Sequence, residues 1–553
     1  MLRHKCGRMS RHFSIRCVAA VLMAALLFAQ EPAPVRVNVR LVQVNVIVRD
    51  RSGNPVTGLS KDDFEITDND KPQKISFFEG ENAVVAKSPA PLPANVFSNR
   101  IDAETQATSG ITVVLFDLLN TAFADQVSAR DRLVQVLRQI PPGQRIGVYA
   151  LLRELTILHD FTDNPAQLAG VLEQLQGQTS HALTNSEEAP LPKPIESPAT
   201  KAALEVLVHL TDGAQRVSKD YYNLDRGTIT LNAIEMIANH LASTTGRKNL
   251  IWISGSFPFT LGLTDQDLKK MKNDSPNRQR GPFEGPFEQA MRAVSNANMA
   301  IYPVDARGLM ALADYDAGTA MAKTSHTNPD IATTHMENMD TIENLASKSG
   351  GQAFFNTNDL QKAVRTALDD GRMTYTLGFY PEPTVQNKFH TLKVQVNRKD
   401  VTLRYRQGYF AVGERPADIN PNAVLRELLA SPLDASSIGI TAELQAPTAN
   451  GGAWTVNPVI DSDDLALDDR AGRRVGQLQI VYSVQDKTGK ELAGVRDEVN
   501  LDVKPAVWKV IQAKGLALQK QFTPPANATT IRIAVYDPGS GRSGCVSVPL
   551  NPN

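Results

Sequence analysis

The pattern of hydrophobic and polar positions divides the chain into regions with different periods. From Val35 to Val48 the sequence VRVNVRLVQVNVIV alternates apolar and polar residues, which is typical of half-buried β-strands. Two further short strands are predicted on either side of an Asn-Asp turn within DFEITDNDKPQKISFFEG. The pattern therefore predicts a small antiparallel β-module over residues 35–80. A linker rich in Pro, Ala and Ser is predicted to follow over residues 81–110.

The period changes at Ile111, where continuous apolar runs begin to alternate with helical patterns. The first run, ITVVLFD, is suited to a central parallel strand buried on both faces, and Ala124–Ile140 follows as an amphipathic helix. Later strands and helices are predicted at RIGVYALL, Leu168–Leu175, Leu231–Ala242, KNLIWISG, MAIYPVDA, IENLASKSGG and QAFFN. This alternation predicts a doubly wound α/β domain with a mostly parallel sheet over residues 111–370. Residues 186–199 and 264–289 are rich in proline or charge and are predicted to be surface insertions.

A period of two returns after Gly371, in YTLGFYP, HTLKVQV and VTLRYRQGYF. Such strands either extend the α/β sheet at its edge or begin another β-layer, and we assign residues 371–412 to an extension of the α/β domain. From residue 437 to 553, short strands separated by turn signals predict a C-terminal β-sandwich. The predicted fold class is therefore multidomain α/β plus β, with a Rossmann-like central domain between two β-regions.

Composition and charge exclude some classes of protein. The chain has 553 residues, of which 42% are hydrophobic and 21% charged, as expected for several globular domains. Its formal net charge is -1, and no stripe of Lys and Arg with interleaved aromatic side chains follows Arg16. Nucleic acid is therefore not an expected partner.

The N-terminus has the pattern of a secretory signal. A basic stretch without acids, Met1 to Arg16, precedes an apolar run from Cys17 to Ala29. Because this run is too short to span a hydrocarbon core of ~30 Å, we expect a cleaved signal peptide over residues 1–29 and no membrane span in the mature chain. The predicted location is secreted or periplasmic. After cleavage Cys545 is the only cysteine, so the mature chain has no intramolecular disulfide.

Polar residues follow several predicted strands at their carboxyl ends, where open α/β sheets bind ligands. They are Asp117, the loop Ser254-Gly255-Ser256, and Asp305. Carboxylate and hydroxyl oxygens at one sheet edge are suited to a single divalent cation. For Asp305 a local ion pair with Arg307 is the simpler interpretation.

Several stretches resemble the von Willebrand factor A domain, and more closely the acidobacterial VWFA-related secreted family. They are VVLFDLLNT, GRKNLIWISGSFP, MAIYPVDARGL, GGQAFFNTNDL, and YTLGFYP with LRYRQGYF. The N-terminal VQVNVIVRDRSGNPVTGLSKDDFEI is also similar to the β-module that precedes the domain in that family. The resemblance covers residues 35–412 and leaves the C-terminal region outside it.

The resemblance implies a metal-ion-dependent adhesion site, with Asp-x-Ser-x-Ser on the first loop, a Thr on the second and an Asp on the third. Asp117 matches the first aspartate, Thr121 the last hydroxyl, and Thr179 the second-loop threonine. Leu119 stands where the first serine is expected, and Ser254-Gly255-Ser256 replaces the third-loop aspartate. A hard cation with fewer protein oxygens binds more weakly, so Asp117, Thr121 and Thr179 would form a degenerate Mg²⁺ site. Alternatively, Asp117 caps the helix after Thr121 or accepts backbone hydrogen bonds in the loop.

No catalytic motif is present in the sequence: it contains no His-Glu-x-x-His, Gly-x-Ser-x-Gly or Cys-x-x-Cys. We therefore expect a non-enzymatic protein that binds a protein or surface partner at the carboxyl edge of its parallel sheet. The expected partner-binding residues are Asp117, Thr121, Thr179, Ser254 and Ser256. Two alternatives stay open: a metal-independent scaffold module of the cell envelope, and a hydrolase that uses Ser254 or Ser256 as nucleophile.

Overall fold

A computed structural model of the chain describes residues 41–80, 92–101, 110–177, 221–244, 246–257, 284–308, 339, 342–357, 359–381, 389–410, 420–447 and 452–550. The predicted signal peptide and the predicted insertion at 186–199 lie outside these ranges, as does most of the second predicted insertion. Within the described ranges, every helix is too short or too polar to cross a lipid bilayer.

The central part of the chain forms a five-stranded sheet with helices along it. Five strands come earlier in the chain, namely β1 (Val42–Asp50), β2 (Phe64–Asp68), β3 (Lys71–Gln73), β4 (Phe77–Glu79) and β5 (Val96–Ser98). The strands of the central sheet are β6 (Ile111–Asp117), β7 (Arg145–Leu151), β8 (Leu155–Thr162), β9 (Lys248–Ser254) and β10 (Met299–Asp305). The helices are α1 (Phe123–Leu137), α2 (Pro165–Gln174), α3 (221–241), α4 (Glu284–Asn296), α5 (342–349) and α6 (Leu360–Arg372).

The spatial order of the sheet is β10-β9-β6-β7-β8, and all neighbours are parallel except β7 and β8. Successive residues of β6 point to opposite faces, and each face has its own core. Val113 and Leu115 pack in the core that includes residues of α3 and α4. Val114 and Phe116 pack in the core formed with α1, α2 and α6. Because both faces are covered, the strand is apolar throughout, and the coarse prediction of an α/β region is confirmed.

Several predicted elements differ from the structure in detail, and three of them affect the description of the α/β region. The predicted helix Ala124–Ile140 runs from Phe123 to Leu137. QAFFN contributes a single bridge, between Phe354 and Val304, and no extended strand. The last part of the predicted insertion 264–289, from Glu284 onward, belongs to α4, whose apolar side chains pack against the sheet. The glycine and proline near the start of α4 hid this helical pattern, since both residues are typical of loops.

The strands after residue 371 do not extend the parallel sheet. They are β11 (Tyr375–Phe379), β12 (Phe389–Val396), β13 (Val401–Arg404) and β14 (Gly408–Phe410). They join the N-terminal strands in two four-stranded sheets, with orders β13-β1-β11-β4 and β14-β12-β2-β3. One buried core lies between the two sheets and includes Val46, Phe64, Tyr375 and Leu392. The predicted N-terminal module and the predicted extension are therefore parts of one β-sandwich, because each needs the other to cover its apolar face.

The C-terminal region forms a second sandwich. Its strands are β15 (Ile440–Gln445), β16 (Trp454–Ile460), β17 (Asp468–Arg470), β18 (Arg473–Gln485), β19 (Glu491–Val503), β20 (Leu516–Ala517), β21 (Lys520–Phe522), β22 (Thr530–Asp537) and β23 (Arg542–Pro549), with helices α7 (Pro421–Ala430) and α8 (Pro505–Lys514). One sheet has the order β20-β16-β15-β5, with β21 also on β16, and the other has β17-β18-β22-β23, with β19 also on β18.

The predicted linker 81–110 contributes strand β5 to this second sandwich. Thr441 of β15 is opposite Ser98 of β5 in an antiparallel pair. Two residues later, Arg100 Nη2 lies 2.5 Å from Asp461 and 2.9 Å from Asp464. The linker is therefore partly structural, and its contacts are distant in the chain, since Arg100 and Asp461 are 361 positions apart.

A buried carboxylate joins the first sandwich to the α/β domain. Asp370 of α6 is fully buried and accepts hydrogen bonds from Arg49 of β1 at 2.8 Å and from Arg404 of β13 at 2.5 Å. Tyr302 of β10 donates its hydroxyl to the same carboxylate at 2.7 Å, and Arg247 donates to Tyr302 at 2.9 Å. One acid thus holds cations from the sandwich against the parallel sheet.

A second acid, Glu235 of α3, predicts a pH dependence of stability. Burial raises its pKa from 4.5 to about 7; a hydrogen bond from Gln289 opposes this shift, and Glu427 adds to it. Because the pKa is higher in the folded state, ionisation of Glu235 disfavours that state. Protonated Glu235 therefore contributes most to the free energy of unfolding below pH 4.5, and this contribution is lost as the pH rises to about 7.

We expect the free energy of unfolding of the wild type, relative to Glu235→Gln, to fall by about 1 kcal/mol over that pH range, since partial exposure of Glu235 reduces the full effect. Urea denaturation of both proteins at a series of pH values measures this difference and cancels the titration of other groups. A difference that is constant, or that grows with pH, would contradict the assignment.

Candidate functional site

The polar residues selected from the sequence lie at one edge of the parallel sheet. Asp117 ends β6, Ser254 ends β9 and Asp305 ends β10, and Ser254 is directly opposite Asp305 in the parallel register. Phe116 is opposite Ile253, which places Asp117 next to Ser254. The parallel register thus brings the three strand ends together, as predicted from the topology.

The carboxylate of Asp117 is buried and accepts four hydrogen bonds. Asn120 donates its backbone N–H to Oδ1 at 3.0 Å and its side-chain Nδ2 to Oδ2 at 2.8 Å. Oδ2 also accepts from Trp252 Nε1 at 3.0 Å and from Ser254 Oγ at 2.9 Å. Ser254 Oγ is also 2.7 Å from Ser256 O, and its single proton can serve only one of the two acceptors at a time. Asp117 is therefore a hydrogen-bonding centre for the first loop and for β9.

Burial raises the pKa of Asp117 above its ordinary value. The hydrogen bonds from Asn120, Trp252 and Ser254 act in the opposite direction, because N–H and O–H donors favour the ionised carboxylate. The groups that donate to the carboxylate of Asp117 are thus all neutral.

Thr121 and Ser256 tie the first loop to the loop after β9. Thr121 Oγ1 donates to Asp117 O at 2.5 Å and accepts from Gly255 N at 2.8 Å. Ser256 Oγ donates to Asn120 O at 3.0 Å. A Cβ at Gly255 would lie 3.1 Å from Thr121 Cα, which explains why the loop has a glycine at this point. The two loops are therefore held together by direct contacts.

The start of α1 distinguishes between the two local roles considered for Asp117. The N-cap residue of α1 is Ala122, which has no side-chain capping bond, so Asp117 does not cap this helix. Gln126 Nε2 donates to Leu118 O at 3.0 Å and to Thr121 O at 2.8 Å, which closes the loop from the helix side. Of the two local roles, the geometry matches acceptance of hydrogen bonds within the loop.

Other candidate residues have separate positions. Thr179 lies outside the described residues. Asp305 forms a bidentate ion pair with Arg307, at 2.9 Å from Nε and 2.8 Å from Nη2, and also accepts its backbone N–H. This is the local pairing expected from the sequence. Ser254, Asp117 and Thr121 are at most 1% exposed, whereas Ser256 is partly exposed.

The described residues do not fit a divalent cation. Three donors occupy Asp117 Oδ2, and Thr121 Oγ1 already donates one hydrogen bond and accepts another. Leu119 is buried and offers no oxygen. Among the residues that the structure describes, no group of three or more His, Cys, Asp or Glu could hold a metal ion. A Mg²⁺ ion at Asp117 would have to displace hydrogen bonds that the fold uses between its loops.

Three contributors to this network were not singled out from the sequence: Asn120, Trp252 and Thr230. Asn120 lies in VVLFDLLNT, and its position three residues after Asp117 is a signal for an Asx-type loop. Trp252 shares a face of β9 with Ser254, so the period of two could have linked the two residues. Thr230 of α3 accepts from Asn120 Nδ2 at 2.8 Å across 110 positions of sequence, which no local pattern indicates.

Comparison with known proteins adds little to this geometry. No family model matches the chain, and no curated protein matches it. An aerotolerance-related membrane protein from Bacteroides fragilis is similar with a TM-score of 0.22 and 11% identity, over 47% of this chain and 99% of that one. Three N-terminal domains of the type V pili tip protein Mfa5 from Porphyromonas gingivalis give a TM-score of 0.23 and 10% identity, over 94% and 96%. With such scores neither likeness supports an argument about function.

Proposed function

We propose that this chain is an exported, non-enzymatic binding protein of the von Willebrand factor A type, which attaches a protein or surface partner at the carboxyl edge of its parallel sheet. Export is proposed from the basic and apolar pattern between Met1 and Ala29. The resemblance of VVLFDLLNT and the later stretches supports the type of domain.

The two loops at this edge are joined by hydrogen bonds, and the proposal depends on this observation. Thr121 and Gly255 are hydrogen-bonded at 2.8 Å, and Ser256 and Asn120 at 3.0 Å, above the buried Asp117. A surface held in one conformation loses less entropy when a partner binds, and this favours binding. Asp117, Thr121 and Ser254 would shape the edge from below without contacting the partner.

The proposed contact residues are those that the edge exposes. Phe123, the first residue of α1, is 53% exposed directly after the hydrogen-bonded loop. Ser256 is partly exposed in the neighbouring loop. An exposed aromatic ring beside fixed polar loops has the chemistry of an interface anchor, because such rings supply large contact area at low entropic cost.

The proposed binding is independent of a metal ion, since the oxygens of Asp117 and Thr121 are engaged by protein donors. The hydrolase alternative has less support. Ser254 is fully buried and its hydroxyl faces Asp117 and Ser256 O, which is suited to a structural role.

A crosslinking experiment tests the proposed surface. A photoreactive phenylalanine analogue at Phe123 is expected to yield one discrete adduct with an envelope fraction of the producing cells. The same analogue at Tyr380, which is 55% exposed, is the matched control and is expected to yield none.

Unlabelled competitor chains make this test quantitative. Wild type and Tyr380→Glu should suppress the adduct equally, whereas Phe123→Glu should compete about tenfold less well or worse. Equal labelling from both positions, or equal competition by Phe123→Glu, would refute the proposed binding edge.

A further inference from the structure

A small cleft lies between the α/β domain and the first β-sandwich. The α/β side supplies Ser295 of α4 and Lys348 of α5, and the sandwich side supplies Arg406 and Tyr409. The rest of the wall is mainly apolar, with Met291, Val294 and Phe389 among its residues. None of the described residues that line the cleft is acidic, whereas Lys348 and Arg406 are both basic and only 8% exposed.

The guanidinium of Arg406 has only neutral partners among the described residues. Its Nη1 donates to the backbone oxygen of Ser295 at 3.0 Å and to Ser295 Oγ at 2.9 Å, and its Nη2 donates to Gln43 O at 2.5 Å. Its central carbon is 5.8 Å from the centre of the Tyr409 ring. Its Nε is buried and has no hydrogen-bond partner in the described part of the chain. The positive charge is therefore solvated there by dipoles and by a ring, without a counter-ion.

Burying a charge in this way is unfavourable. Removing an ion from water raises its free energy, and proteins normally offset this cost with an opposite charge. Burial disfavours the charged form of Arg406 and lowers its pKa to about 10, although Tyr409 opposes this shift. Lys348, whose Nζ lies 5.7 Å from the centre of the Phe287 ring, is a second basic residue in the wall of the cleft.

The size of the cleft limits what can supply the missing negative charge. Its cavity volume is about 20 Å³, and about 10–15 Å³ is enough for one water-sized species. The hydroxyl of Tyr409 already donates to Asp68, which leaves Arg406 as the cleft's guanidinium donor. A guanidinium beside apolar walls suits a small anion of low charge, because a multivalent anion would lose far more hydration energy. The donors and the room available therefore favour a monovalent species of few atoms.

We propose that this cleft binds a compact monovalent anion, such as chloride or formate, which neutralises Arg406 and links the first β-sandwich to the α/β domain. The site is separate from the carboxyl edge of the sheet and does not depend on the proposed function. Binding would stabilise the folded chain in proportion to the logarithm of anion concentration above its dissociation constant.

Thermal unfolding at constant ionic strength tests the proposal. Sodium gluconate is replaced stepwise by sodium chloride, and in parallel by sodium formate or sodium sulfate. The melting temperature of the wild type is expected to rise and saturate with chloride or formate and not with sulfate. The linewidth of the chloride NMR signal gives a direct measure of binding, and formate should reverse its broadening.

Matched variants separate a specific site from a general salt effect. Arg406→Met is expected to lose the saturable rise, and Lys348→Met to shift it to higher concentration. Arg473→Met, which changes an exposed arginine paired with Asp502, should keep the wild-type response. If Arg406→Met is not folded, the response of Lys348→Met and the NMR linewidth show whether the anion binds at this site. Equal melting temperatures of the wild type in chloride and gluconate, or a full response in Arg406→Met or Lys348→Met, would overturn the proposal.

Discussion

Asp117→Ala is expected to lower the free energy of unfolding by about 3 kcal/mol or more, because the change removes the acceptor of four buried hydrogen bonds. The donors left without this acceptor belong to Asn120 and Trp252, whereas Ser254 Oγ can donate to Ser256 O instead. Each unsatisfied buried donor costs about 1–3 kcal/mol. Urea denaturation followed by Trp fluorescence measures the loss. Trp252 is also a local probe, since its indole N–H donates directly to Asp117.

Asp117→Asn is the matched variant for this prediction. It keeps the size of the side chain but directs an NH₂ group toward the donors of Asn120 or Trp252, so an intermediate loss of stability is expected. Asp502→Ala, at an exposed ion pair, serves as the control and should leave the unfolding midpoint almost unchanged.

The same proteins distinguish a structural role of Asp117 from a metal site. If Asp117 acts as an internal acceptor, Mg²⁺ or Mn²⁺ leaves the melting temperature of the wild type unchanged. A saturable rise with either ion in the wild type, absent in Asp117→Asn, would contradict the structural role and support the adhesion-site interpretation.

Asp370→Ala is also expected to lower the free energy of unfolding by about 3 kcal/mol or more, since it leaves the partly buried Arg49 and Arg404 without their shared carboxylate. The cations would then repel one another beside Arg247, and Tyr302 would lose its acceptor. Because Asp370 lies between the first sandwich and the parallel sheet, we expect the change to separate their unfolding into two transitions. Calorimetry measures both the loss and the number of transitions.

Single arginine variants give the matched comparison for Asp370. Arg49→Ala and Arg404→Ala each leave one cation on the acid and should cost less than Asp370→Ala. Arg51→Ala, which removes an exposed pair with Asp400, should change little. A single unfolding transition of Asp370→Ala at the wild-type midpoint would show that this contact does not join the two parts.

Much of the α/β region could be predicted because its signals are local. ITVVLFD is apolar at nearly every position, and a strand covered on both faces needs that composition. The carboxyl ends of such strands meet at one edge, so the positions of Asp117, Ser254 and Asp305 followed from topology alone. The role of Asp117 did not, because its donors Trp252 and Ser254 come from a strand 135 positions or more along the chain.

The assignment of the β-strands outside that region shows the same limit. Strand β1 has the alternating pattern of any half-buried strand, and its period contains no information about its neighbours. In the fold it pairs with β11 and β13, so Val46 is opposite Tyr375 and Val48 is opposite Leu403. The short strand β5 was hidden in a linker because a strand of 3 residues is too short to show a period.

The sequence by itself determined most of the strands and helices of the α/β region, which of their faces are buried, and which edge of the sheet has polar residues. These properties depend on the order of side chains within short stretches of the chain. Only the tertiary structure decided which strands pair, where Asp117 finds its four donors, and that Arg406 is buried without an acidic partner among the described residues. Such contacts join residues that are distant in the chain, and their energies depend on burial and direction, which a one-dimensional pattern does not contain.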